Sequence, residues 1–88
     1  MTVVDCQIRA QQIYRRLLGE GLEPDDVLLN IPQVRITRGC DSATRARVAT
    51  HDVRLQLLRL VLVDLYGESD EMETFYREAR PRVDAMPF

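Results

Sequence analysis

At 88 residues, with 45% hydrophobic and 30% charged side chains and a net charge of −2, the chain is sized for one domain, which buries only about 60 to 65% of its unfolded surface on folding. Its longest uninterrupted apolar run, Leu60 to Val63, falls far short of the roughly 20 residues of a membrane span. Cys6 and Cys40, far apart and preceded by no charged-then-apolar leader, exclude a disulfide-stapled secreted scaffold and lead us to expect a cytoplasmic setting.

All 12 basic residues are arginine, and they are unevenly spread: three face five acids in 1–32, six face two in 33–59, and three face seven in 60–88. Low aromatic content and the absence of Trp leave the core to Leu, Val and Ile, which suits helices packed through aliphatic stripes. No internal repeat or linker divides the chain. The expected fold is all-α, a small bundle of three to four helices in a single domain over 1–88, with 81–88 as a C-terminal tail.

The first helix is predicted from about Val3 to Leu18, because Val3, Cys6, Ala10, Ile13 and Leu17 recur at steps of three and four, widened by Tyr14 and Leu18. Gly19 and Gly21 supply the stop. A short helix follows to about Asn30, with Pro24 in its first position and Asp25 and Asp26 at the positive end of its dipole. Pro32 disfavours helical geometry at Ile31. Val34 and Ile36 then alternate with Arg35 and Thr37, so 32–39 is expected to be extended, as a loop or one short strand.

The third helix is the longest and is predicted from about 42 to 66, with Asp41 or Ser42 as N-cap and Gly67 as stop. Val48, Leu55 and Leu62 lie seven apart, with His51, Leu58 and Leu65 between them. From Leu55 onward only Gln56, Arg59 and Asp64 interrupt the apolar surface, which marks a central helix covered on several sides. On this seam His51 is expected to be buried and neutral, so that acid destabilises the fold, unless Asp52 or another acid pairs with it. The last helix is expected to start at an Asp70–Glu73 capping pair, to carry Met72, Phe75, Tyr76, Ala79 and Val83 on its stripe, and to end at or near Pro81.

The segment Arg38 to Asp52, RGCDSATRARVATHD, concentrates the chemistry-bearing side chains. Its GCDSA resembles the Gly-x-Asp-Ser setting of acyl and peptidyl carrier proteins, which implies a phosphopantetheine arm on Ser42. The chain departs from that pattern at Ala43, where those families place a large aliphatic, and at Arg45, Arg47 and Arg54, where they display acids. THDVRLQLL resembles the phosphoacceptor box of histidine kinases, which implies phosphorylation of His51, but lacks the proline that follows that box's basic residue. The residues themselves read most simply as a capped helix start with a basic outer surface.

No metal-ligand spacing, phosphate loop or nucleophile–base pair stands out, so neither catalytic residues nor a cofactor or metal is expected. The leading expectation is a non-enzymatic interaction or regulatory protein that pairs with itself, as a homodimer, or with a protein partner. Its apolar contacts are assigned to Leu55, Leu58, Leu62, Met86 and Phe88. The alternatives are a carrier modified on Ser42 and a nucleic-acid-binding regulator contacting phosphates through Arg35, Arg38, Arg47 and Arg54.

Overall fold

A computed structural model of the chain describes residues 3–36 and 50–85. Four α-helices occupy them: α1 (Val3–Gly19), α2 (Pro24–Asn30), α3 (Thr50–Tyr66) and α4 (Asp70–Asp84), with a 3₁₀ turn at Ile31–Gln33. The fold is therefore all-helical, and the described residues contain no strand. None of the described helices is long and apolar enough to cross a membrane.

The apolar periodicity of α1 brings Cys6, Ala10, Ile13 and Tyr14 into the core, with Leu17 partly covered beside them. Its end is a Schellman motif: the Gly21 N–H donates to Leu18 O at 3.1 Å and the Leu22 N–H to Leu17 O at 3.2 Å. Gly21 holds φ at +97°, a conformation that costs glycine little; Gly19 is the last helical residue. The motif reverses the chain and folds Leu22 back against the core near Leu17.

Pro24 opens α2, and the Asp26 carboxylate accepts from the Glu23 N–H at 3.0 Å. The end of this helix differs from the expected one. Ile31 remains helical, at φ −49° and ψ −43°, and Pro32 and Gln33 tighten into the 3₁₀ turn closed by Val34 N–H donating to Ile31 O at 3.2 Å. Proline supplies no N–H for the α pattern, and a 3₁₀ turn needs fewer of them. The extended segment is accordingly shorter than expected: it starts at Val34, and 37–39 lie outside the described residues. Its alternation holds, with Val34 and Ile36 buried and Arg35 exposed. Arg9 of α1 donates from Nε to Ile36 O at 2.9 Å and ties this segment down.

Helix α3 lies at the centre, with α1, α2, the 3₁₀ turn and α4 all packed on it. Val53, Leu55, Leu57, Leu58, Val61 and Leu62 are buried, pointing in several directions around its axis, as its nearly all-round apolar sequence requires. The expected start, residues 42–49, lies outside the described residues; the stop is Gly67, at φ +70°.

The cap of α4 is one residue earlier than expected. Ser69 Oγ accepts from the Met72 N–H at 3.2 Å, and Glu73 turns to Arg59 of α3 at 2.6 Å instead of closing a capping pair. With both partners more than 40% exposed, that ion pair is worth at most about 1 kcal/mol. Pro81 lies inside α4, which continues to Asp84. Buried Val83 holds the final turn against the core, which offsets the hydrogen bond that proline removes.

Core packing on α3 should dominate stability. Leu57 is 0% exposed, so Leu57→Ala is expected to cost about 2–5 kcal/mol in urea denaturation, whereas Val4→Ala, at a residue 60% exposed, should stay within about 0.5 kcal/mol.

Candidate functional site: an apolar groove beside the central helix

A groove of about 530 Å³ lies between α2, α3 and α4. Its floor includes Leu58 and Leu62 of α3; Leu28, Leu29, Ile31 and Pro32 form one wall, and Phe75, Ala79 and Val83 of α4 the other. Tyr66 and Phe75 stack at one end with ring centroids 4.7 Å apart, and both remain partly exposed. Polar side chains reach the lining only from α4, as Glu78 and Arg82. Leu29 stands on the rim as the most exposed large hydrophobic residue described.

Local sequence accounts for the groove. The seven-residue α2 carries Val27, Leu28 and Leu29 in succession, and at about 100° per residue three consecutive side chains cannot all face one core. Val27 takes the buried position, Leu28 is half-buried and Leu29 is left outside. On α4, Met72 and Val83 are buried while Phe75 is rotated towards Tyr66 at the edge of the stripe.

The expected contact residues are distributed differently from a free surface. Leu55, Leu58 and Leu62 are all buried in the core, Leu58 and Leu62 doubling as groove floor and Leu55 lying outside the lining. Around the groove the exposed apolar atoms come instead from Leu29, Tyr66 and Phe75, of which only Phe75 belongs to a stripe read from the sequence. Met86 and Phe88 lie outside the described residues. So do Ser42, the carrier-type position, and two of the arginines proposed for anionic partners, Arg38 and Arg47. Of the remaining pair, Arg54 is half-buried on α3 and Arg35 is exposed beyond the 3₁₀ turn. Arg35 lines a second, smaller pocket with Arg16; Arg54 does not, so these two arginines are not brought into one site.

His51 corrects an expectation. Its side chain is 28% exposed, and its Nε2 sits 2.8 Å from Asp84 Oδ1 near the end of α4. The ring therefore has an anionic partner and is not wholly enclosed by an apolar seam. Asp84 also faces Arg80 at 3.7 Å, so the contact closes the α3 start against the α4 end.

Two other titratable groups belong to the core. Burial pushes the Cys6 thiol up, and the nearby Asp52 and Asp5 charges add to this, which leaves it an inert packing residue. Tyr14 donates to Asp64 Oδ2 at 2.6 Å, joining α1 to α3; burial first, then this bond and the carboxylate's charge, drive the phenol well above its ordinary value.

No family model matches the chain, and no curated protein or solved structure does so.

The Tyr14 shift has a definite sign. A folded value raised above the unfolded one of about 10 leaves full stability below pH 10, and stability is then lost as pH rises towards the folded value, because only the unfolded chain ionises readily there. Tyr14→Phe is expected to cost about 1 kcal/mol at neutral pH, where Asp64 loses a donor but stays hydrated. The variant should also show a shallower fall in melting temperature above pH 10; an unchanged alkaline profile would remove Tyr14 as its source.

Proposed function

We propose that this chain is a non-enzymatic interaction protein that acts as a homodimer in the cytoplasm, pairing through the α2–α3–α4 groove. The observation that carries this reading is the apposition of knob and hole: Leu29, 78% exposed, rises on the rim of a groove whose floor is aliphatic. A two-fold interface buries the same patch on both copies and so must be self-complementary. Leu29 of each copy entering the groove of the other meets that requirement. The charges fit as well, because the one acidic and one basic residue in the lining, Glu78 and Arg82, sum to zero, so that a two-fold pairing would let each meet its opposite on the second copy. The short chain adds a reason, since a domain of this size gains stability from covering surplus apolar surface. A regulatory role would follow if a protein partner competes for the same groove.

Sedimentation equilibrium tests the pairing. The wild-type chain is expected to be dimeric at micromolar concentration. Leu29→Glu, which puts a charge on an already exposed position, should yield a monomer with an unchanged melting temperature at dilution. Charge reversal of Glu78 alone should weaken pairing, and exchange of both residues, Glu78→Arg with Arg82→Glu, should restore it. A wild-type chain that stays monomeric throughout, or a Leu29→Glu variant as dimeric as wild type, would refute the groove as a self-pairing surface.

A further inference from the structure

On the other side of the 3₁₀ turn lies a pocket of about 190 Å³, lined by Arg16, Leu17 and Glu20 from the end of α1, and by Asn30, Gln33, Val34 and Arg35. Among the described residues neither Arg16 nor Arg35 forms an ion pair. The Arg16 Nε is enclosed and meets no acceptor, an arrangement that costs more for a charged donor than for a neutral one. Asn30 directs its amide N–H away from the pocket, to Asp26 O at 2.7 Å. Two guanidiniums against one carboxylate leave the lining with a single positive charge, and Leu17 and Val34 supply apolar wall beside it.

We propose that this pocket binds a small carboxylate with a short apolar body. Its oxygens are held by the guanidinium groups of Arg16 and Arg35, and its hydrocarbon part rests on Leu17 and Val34. The planar fork of arginine matches a carboxylate in two-point contact, and the lining's charge of one matches a monoanion. The α1 end explains only part of the arrangement: a cation in the last turn complements the helix dipole, which accounts for Arg16, but Arg35 belongs to no helix. The site is independent of the groove and stands whether or not the chain dimerises.

Thermal unfolding of the full chain at constant ionic strength, with butyrate, inorganic phosphate or chloride as the varied anion, tests this. A ligand that binds only the folded state raises the melting temperature by mass action; at tenfold excess over Kd, a domain of this size should gain roughly 6–11 °C. Butyrate is expected to give a saturable rise, and phosphate and chloride little beyond their general salt effect. Arg35→Gln, at an exposed position, should leave the unliganded melting temperature unchanged and weaken butyrate binding about tenfold or more. Glu20→Gln, which removes the competing carboxylate, should tighten it. The methyl resonances of Leu17 and Val34 should move with butyrate. Absence of a butyrate-specific rise, an equal rise with phosphate, or a rise undiminished in Arg35→Gln would each overturn the proposal.

Discussion

The apolar girth of α3 is the constraint from which the rest of the fold follows. A helix with aliphatic side chains on nearly every side must be enclosed by its neighbours, and here α1, α2, the 3₁₀ turn and α4 all pack against it. Directional contacts then fix how those neighbours sit. Tyr14 to Asp64 sets α1 on α3, Arg59 to Glu73 with Arg59 over the Tyr76 ring at 5.4 Å sets α4 near its start, and His51 to Asp84 sets α4 near its end. These polar contacts lie at the edges of the apolar interfaces, where partial hydration keeps their energies small. Burial of the aliphatic core supplies the driving force, and the edge contacts select one arrangement from those that burial alone would permit.

Among the described residues, enclosure is incomplete because α2 is short. Seven residues of helix span about 10 Å, against about 25 Å for the 17 residues of α3. Helix α2 and its 3₁₀ extension therefore shield only part of the face that α1 and α4 leave open, and the remainder is the groove. Leu58 and Leu62 are consequently core and groove floor at once: packed among the chain's own helices, they lie at the base of the groove with little accessible surface. This is why residues chosen for their apolarity turn out nearly inaccessible while the rim, from Leu29 to Phe75, carries the exposed area.

Much of the architecture was legible in the sequence because its signals are local and repeated. The 3.6-residue stripe of α1, the proline and acids opening α2, and the dense aliphatic run from Leu55 all act through chain neighbours, and each appears in the structure near its expected place. The failures have a different character. Pro32 was read as ending helical geometry at Ile31, yet the preference it exerts on the preceding residue is weak enough for a 3₁₀ turn to override. Pro81 signals an end to α4 at or near its own position, yet Val83, on the same apolar stripe, is held in the core and carries the helix on to Asp84. His51 has the seam spacing of a packing residue and the partner of a surface one, because Asp84, 33 positions along the chain, meets it only when α4 folds back. The groove was hidden for the same reason: apolar stripes predict what is covered by something, and not whether this chain is long enough to do the covering.

The segment from Leu28 to Arg35 has an unusual position between two cavities. Leu28, Leu29, Ile31 and Pro32 face the apolar groove, while Asn30, Gln33, Val34 and Arg35 line the arginine pocket, so a short helix end and one 3₁₀ turn serve as a common wall. Hydrogen bonds tie it at the turn, which the Val34 N–H closes onto Ile31 O, at Asn30, whose amide donates to Asp26 O, and at its far end, where Arg9 donates to Ile36 O. Burial of Ile31, Val34 and Ile36 sets it against the core. An anion held by Arg16 and Arg35 would add a tie between α1 and this segment, and any preference of that tie for one tilt would be felt at Leu29 on the opposite face. Coupling of this kind requires the ligand to favour one of two wall positions.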